Sequence, residues 1–358
     1  MRDLLVGDTL DGYRIEALLA RGGMAAIFRA VDEESAETVA LKVPHLQYEA
    51  DVVFYERFRR EEEMALRLDH PNLVKAHPPR REKSRVYLIM EYVDGATLAA
   101  LLDEGGPLPA ARALDVARQT CDALAYLHAH GVIHRDVKPG NVLVRRDGQV
   151  KLLDLGIAHL DTARRLTISG LSASIGTPDY MAPEQLRGRA GDARVDLYAL
   201  GTMLYELLTG RLPYAGADWE ARARAKRLEE PAPLSALLPG IDPSLEAVVM
   251  KAIAPAAADR HASAAELLSD LRDPSAAPPR DRALRPERAR RRLDPRHVGA
   301  ALLVAAALGG VGGIAWLSHR RIIETGAESA ASRAAATQPR APAAAGAGAV
   351  ARPGPGRP

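Results

Sequence analysis

Asp136, Lys138 and Asn141 lie within one short stretch, His134-Arg135-Asp136-Val137-Lys138-Pro139-Gly140-Asn141. A carboxylate, an ammonium two residues later and an amide five residues later form a set suited to phosphoryl transfer. The carboxylate would orient an attacking hydroxyl, the ammonium would offset developing phosphate charge, and the amide oxygen would hold a metal ion. Thirteen residues on, Asp154-Leu155-Gly156 follows the apolar run Val150–Leu153 and offers a second metal ligand beside a flexible glycine. Upstream, Val39-Ala40-Leu41-Lys42 ends a strand-like run on a lysine. A buried ammonium needs a partner, and the charged stretch that follows offers Glu61. Arg21-Gly22-Gly23-Met24 supplies bare backbone that can approach phosphates. Taken singly, a lysine at a strand end or an Asp-x-Gly turn is ordinary. At these spacings in one chain the ordinary readings fail together.

The elements that must position these residues are readable in outline. Tyr13–Ala20, Ala25–Val31 and Glu37–Val43 read as short strands separated by glycines or charged turns, as in an antiparallel meander. Val53–Leu68 places Phe54, Phe58, Ala65 and Leu68 on one helical face, and Val86–Tyr92 is a further strand. Helices dominate beyond it. Ala110–His130 has Leu114, Ala117, Cys121, Leu124 and Leu127 at helical spacing, with Gly131 suited to stop it. Asp196–Leu208 is almost entirely apolar, which predicts a buried central helix too short to span a bilayer. A small strand-rich half before a larger helical half predicts an α+β fold with two lobes.

The chain has 358 residues, 47% of them hydrophobic, so a sizeable core is expected and wholesale disorder is excluded. Its single cysteine, Cys121, excludes an internal disulfide framework and a cysteine-ligated zinc site. The formal net charge of +2 argues against nucleic acid as a partner. That small number hides a division: residues 274–358 carry 14 Arg against 5 acidic residues, whereas residues 1–273 carry 34 basic and 41 acidic ones. An acidic globular part is joined to a basic tail.

Residues 274–297, rich in Pro and Arg, read as a juxtamembrane linker. Residues 298–317 form an uncharged run of 20, the length of a bilayer's hydrocarbon core. A buried soluble helix is the other reading, disfavoured because nothing nearby would bury this run. Eight Arg in 280–297 against three in 318–335 keep the N-terminal side cytoplasmic. The arginines also suit membrane lipid headgroups, although a solvated linker that only fixes topology reads equally well. Ala301, Ala305, Gly309 and Gly313 recur every four residues, so two such helices could pack closely as a homodimer, unless the stripe merely follows from composition. Residues 318–358, rich in Ala, Pro and Gly, are expected to be a disordered extracytoplasmic tail.

The chain resembles the protein kinase superfamily over about residues 13–271, and within it the eukaryotic-like (Hanks-type) serine/threonine kinases of bacteria. The resemblance is carried by ARGGMAAIFRA, FRREEEMALRLDHPNLV, YLIMEYVDGATL, HRDVKPGNVL, IGTPDYMAPEQ and DLYALGTMLYELLTGRLPY, in that order. It implies a bilobal kinase domain at 13–273, with an N-lobe to about residue 92 and a C-lobe from about 93. It further implies ATP and Mg²⁺ as cofactors, with Mn²⁺ as a substitute, and proteins with Ser or Thr acceptors as substrates. Together with the apolar run, it predicts a single-pass protein of the cell (inner) membrane with its kinase domain in the cytoplasm.

The resemblance also implies residue roles. Lys42 would bind the α/β-phosphates and pair with Glu61. Asp136 would be the catalytic base, and Lys138 would contact the γ-phosphate, as is typical of Ser/Thr rather than Tyr kinases. Asn141 and Asp154 would bind Mg²⁺. The nucleotide would meet the loop Leu19, Ala20, Arg21, Gly22, Gly23, Met24, Ala25 and Ala26. Ile27, Ala40 and Leu143 would sandwich adenine, and Met90 would be the gatekeeper before a hinge containing Glu91 and Val93. Thr177 would belong to the loop that receives the acceptor. Arg135 would meet a phosphorylated residue of the activation segment, 154–184, with Thr167, Ser169, Ser172 and Ser174 as candidate autophosphorylation sites. Glu184 would pair with Arg260, and Asp196 would brace the catalytic loop.

The chain departs from the family pattern in its first loop, where G-x-G-x-x-G becomes Ala20-Arg21-Gly22-Gly23-Met24-Ala25. Alanine disfavours positive φ and close approach to phosphate, which predicts ATP binding weaker by a few-fold to tenfold, or roughly 1 kcal/mol. Leu155 replaces the usual Phe of the metal motif, and Glu62 and Glu63 flank Glu61. A membrane-tethered pseudokinase scaffold is therefore a second reading. A small-molecule phosphotransferase is a third, disfavoured by GTPDYMAPEQ.

Overall fold

The computed structural model describes residues 3–49, 51–154, 178–214, 216 and 218–276. Thr167, Ser169, Ser172, Ser174 and Thr177, the linker, the apolar run 298–317 and the tail lie outside the described residues. Among the described residues no helix is long and apolar enough to cross a membrane.

Six strands make the first sheet: β1 (Thr9–Leu10), β2 (Tyr13–Arg21), β3 (Ala25–Asp32), β4 (Thr38–Pro44), β5 (Ala76–His77) and β6 (Leu88–Glu91), in the order β1-β2-β3-β4-β6-β5. All pairs are antiparallel, and short turns join β1, β2, β3 and β4 in succession. Strict alternation along β3 buries Ala26, Phe28, Ala30 and Asp32 on one face. There Phe28 and Ala30 join Tyr13, Ile15, Leu41, Tyr87 and Ile89 in a closed apolar layer. The opposite face carries Ala40, Leu88 and Met90, packed with Phe58 and flanked by Ile27.

Helix α1 (Leu46–Glu49) leads into α2 (Val52–Ala65). Asp51 caps α2 by accepting the Val53 and Phe54 N–H groups at 2.9 and 3.1 Å. Phe58 and Glu61, one turn apart, are the buried residues of α2, so a carboxylate is carried inward on an otherwise apolar stripe.

The second part is helical. Helices α3 (Leu98–Gly105), α4 (Ala110–Ala129), α5 (Arg194–Thr209), α6 (Trp219–Leu228), α7 (Pro243–Ala252) and α8 (Ala264–Arg272) surround a three-stranded sheet of β7 (Gly95–Thr97), β8 (Val142–Arg145) and β9 (Val150–Leu152). Helix α4 ends as its sequence predicts, with Gly131 at φ +75° just beyond it. Helix α5 is buried around nearly its whole circumference, and its apolar residues join α4, α7 and α8 in the largest core. The short strands β1, β5 and β7 carry no alternating run long enough to find by pattern.

Candidate active site

Strand register assembles the first half of the site. Ile27 pairs with Lys42, Ala40 with Met90, and Lys42 with Leu88. Residues two apart share a face, so Ile27, Ala40, Lys42 and Met90 point to one side of the sheet. The Lys42 Nζ donates to Glu61 Oε1 at 2.7 Å and to Asp154 Oδ1 at 2.8 Å. One ammonium thus joins α2 to the segment after β9. Burial alone would lower the Lys42 pKa, but the carboxylates of Asp154 and Glu61 more than reverse this and hold the ammonium above the ordinary lysine range. The neighbouring Glu62 is engaged elsewhere, on Lys83, so the pairing glutamate is Glu61.

The second half lies on the turn before β8. Lys138 Nζ donates to both Asp136 oxygens, at 3.0 and 2.7 Å. The Asn141 amide nitrogen donates to the Asp136 carbonyl at 2.8 Å and to its Oδ2 at 2.7 Å. Both amide hydrogens are so committed, and the oxygen end of Asn141 is the end left to serve a cation. Carbonyl and carboxylate oxygens from Asn141 and Asp154 suit a hard ion such as Mg²⁺, which commonly takes one or two protein carboxylates plus substrate phosphates. Among the described residues no three His, Cys, Asp or Glu side chains gather into a separate metal cage.

Asp196, fully buried in the first turn of α5, anchors the turn that carries Asp136. It accepts the His134 N–H at 2.8 Å, the Arg135 N–H at 2.7 Å and the His128 ring at 2.8 Å. The His134 ring joins Leu153 O at 2.8 Å and the Asp136 N–H at 3.3 Å, which assigns its proton to Nε2. Arg135 and Asp154 hold φ of +65° and +49°, a costly backbone for residues with a Cβ, and both sit where this scaffold over-determines them. Asp196→Ala would strand two buried N–H groups. It is expected to cost about 3 kcal/mol in chemical denaturation, from unsatisfied donors worth about 1–3 kcal/mol each.

The loop between β2 and β3 differs from expectation. Ala20 pairs with Ile27 inside β2 and Ala25 begins β3, so both alanines occupy strands. Neither has positive φ, and the backbone penalty expected of them is absent. The turn closes by the Gly22 N–H donating to Ala25 O at 2.9 Å. A Cβ on Gly22 would meet that same oxygen at 3.3 Å, a tight approach that favours glycine there. Leu19, Arg21 and Gly23 are exposed; Met24 is half-buried and Ala26 buried.

Met90 and Ala40 are buried beside one another, and Leu143 and Val93 are half-buried. The Glu91 N–H donates to Lys75 O at 2.9 Å, so a purine would find its carbonyl rather than its N–H. The Glu91 side chain binds Lys151 Nζ at 2.6 Å, tying the end of β6 to β9. No sequence signal marked Lys151 or His128, since both look like ordinary surface cations. Glu184 and Arg260 form a two-pronged ion pair at 2.7 and 2.9 Å, and the Arg260 side chain is fully buried.

Comparison with known proteins agrees with this geometry. The family model described as Protein kinase domain matches residues 13–269. The serine/threonine-protein kinase PknB of Mycolicibacterium smegmatis is 39% identical over 265 residues, 73% of this chain and 42% of that protein. Pkn1 of Myxococcus xanthus, also a serine/threonine-protein kinase, is 41% identical over 275 residues, 75% of this chain and 39% of that protein. These matches therefore take in about two fifths of the relatives' length. A doubly substituted PknI kinase domain from Mycobacterium tuberculosis superimposes with a TM-score of 0.60 at 30% identity, covering 76% of this chain and 99% of that one. Rad53 residues 1–466 with AMP-PNP share the fold at 24% identity, with a TM-score of 0.59, covering 72% of this chain and 64% of that one. The ion-paired lysine, the Asp-Lys-Asn turn and the match along 13–269 together show that the chain belongs to the protein kinase family.

Proposed function

We propose that the chain is a serine/threonine protein kinase that transfers the γ-phosphate of ATP to hydroxyls of protein substrates. The observation that carries this reading is the convergence of Lys138 and Asn141, each within 3.0 Å of the Asp136 carboxylate, together with a Lys42–Glu61 ion pair that also meets Asp154. Asp136 orients the acceptor hydroxyl and takes its proton. Lys138, already on the Asp136 carboxylate, is placed to meet the transferring phosphoryl group. Lys42 holds the α/β-phosphates, and Ile27, Ala40, Met90 and Leu143 form apolar surface for adenine. Asn141 and Asp154 would hold Mg²⁺, whose charge would offset that of the phosphates.

The same proposal includes anchoring of the kinase domain to the cytoplasmic face by residues 298–317 and autophosphorylation within 154–184. The arginine excess of 280–297 supports the orientation. A phosphate in the activation segment would be a partner for Arg135, whose Nε is buried without a hydrogen bond among the described residues. Membranes from cells expressing the full chain, given γ-labelled ATP and Mg²⁺, are expected to carry label on Ser or Thr of the chain itself. Protease added to the cytoplasmic side should remove that label. Label recovered only in the soluble fraction would overturn the anchoring, and an unlabelled chain would overturn autophosphorylation.

A further inference from the structure

Helix α6 docks in an unusual way. Its sequence, WEARARAKRL, is rich in charge, and among its described side chains Ala225 and Lys226 are buried. Arg222 and Lys226, one turn apart on this helix, face the same segment, Pro178–Met181. Arg222 grips the Asp179 carboxylate with two prongs, at 2.5 and 3.1 Å. Lys226, 2% exposed, donates to the backbone carbonyls of Pro178 at 3.2 Å, Met181 at 3.1 Å and Asp179. An ammonium has three N–H donors, and three carbonyls receive them.

This arrangement adjoins the Glu184–Arg260 pair. The Lys226 Nζ lies 5.5 Å from the centre of the Tyr198 ring, and the Arg260 guanidinium carbon lies 4.8 Å from it. Tyr198 belongs to the buried helix α5, which also carries Asp196 beneath the catalytic turn. Two cations on one ring therefore hold the two ends of the stretch 178–184, referenced to the helix that fixes Asp136. Burial pulls Lys226 down to about 7, far below the ordinary lysine range, so this placement costs free energy that a surface lysine would not incur.

We infer that Arg222 and Lys226 are positioning residues for the protein acceptor: they set the backbone of Pro178–Met181 against which the acceptor segment lies. This rests on the kinase reading above, in which the segment beginning at Thr177 receives the acceptor. A cage of backbone carbonyls fixes main-chain position, whatever the side chains there, and so suits a surface that must seat a peptide beside Asp136. Among the described residues Arg222 and Lys226 hydrogen-bond to Pro178, Asp179, Met181 and Gly216 and to none of the nucleotide-binding groups, so their loss should affect the acceptor and leave ATP alone.

The test measures steady-state kinetics of the full chain with a basic peptide carrying one serine, varying peptide and ATP separately. In Arg222→Ala the KM for peptide is expected to rise about tenfold, as expected when a positioning surface shifts by a fraction of an ångström. The KM for ATP and the basal ATP hydrolysis rate should stay within twofold. Arg222→Lys, which keeps the charge but loses the fork, should fall between the two. Lys226→Met should give the same split or a larger one, and if that variant fails to fold, Arg222→Ala decides alone. A peptide KM within twofold of wild type in Arg222→Ala would overturn the inference, as would equal changes in both KM values. A wild-type chain that labels no peptide at all would instead overturn the kinase reading.

Discussion

Asp136→Asn is expected to lower the rate of phosphoryl transfer about 10²- to 10⁴-fold, the range for losing a general base, while leaving ATP affinity nearly unchanged. The carboxylate receives Lys138 on both oxygens and the Asn141 amide on one. An asparagine of the same shape can retain one accepting oxygen but cannot take a proton from an incoming hydroxyl. Its NH₂ end would also face the Lys138 ammonium, donor against donor, so Lys138 would lose one of its two anchors. Because Asp136 is partly exposed rather than deeply buried, the fold should tolerate the change. Single-turnover assays with labelled ATP separate the chemical step from binding. A variant within tenfold of wild type in the chemical step would remove Asp136 from the role assigned to it.

The second large effect is expected at Lys42. Replacing it with Met leaves Glu61, 4% exposed, facing Asp154 with no cation between them. Breaking a buried ion pair from one side typically costs about 3–5 kcal/mol, so a clear fall in denaturation midpoint is expected beside an activity loss of at least about 100-fold. The stability cost should depend on pH. Burial raises the Glu61 carboxyl pKa above its ordinary value even beside Lys42, and removing the cation that opposes burial raises it further, so the folded state holds the proton more tightly. Destabilisation should therefore be smallest in acid and grow as pH rises through that raised value. Adding Glu61→Gln to Lys42→Met should restore much of the stability and none of the activity. Equal stability of Lys42→Met and wild type at pH 8 would show that this ion pair is not structural.

Residues whose placement depends on chain spacing are legible in the sequence. Asp136, Lys138 and Asn141 sit on one turn, so their spacing alone sets most of their geometry. Lys42 is legible as the lysine of an otherwise buried strand, and Glu61, among three consecutive glutamates, by its place nine residues before His70. Long-range pairs between polar residues were harder. Glu91–Lys151 and His128–Asp196 join elements that neither periodicity nor spacing relates, and Lys151 and His128 alone resemble surface residues. Arg222 and Lys226 were hidden for a further reason: a helix rich in Ala, Arg and Lys reads as solvated, yet its lysine is buried on backbone carbonyls that leave no mark in sequence. The alanines of the first loop show the opposite error. A family pattern suggested backbone strain at Ala20 and Ala25, whereas strand pairing extends far enough to place both in ordinary extended conformation.

The central claim is that this site catalyses transfer to serine or threonine instead of merely binding nucleotide. Following the γ-phosphate tests this most directly: the purified full chain, γ-labelled ATP, Mg²⁺ and a basic acceptor protein, with acid hydrolysis to identify the labelled residue. The account predicts label on phosphoserine or phosphothreonine, one ADP formed per phosphate transferred, and loss of both in Asp136→Asn. Bound ATP with no label transferred, under Mg²⁺ or Mn²⁺, would contradict it and leave a kinase fold acting as a scaffold.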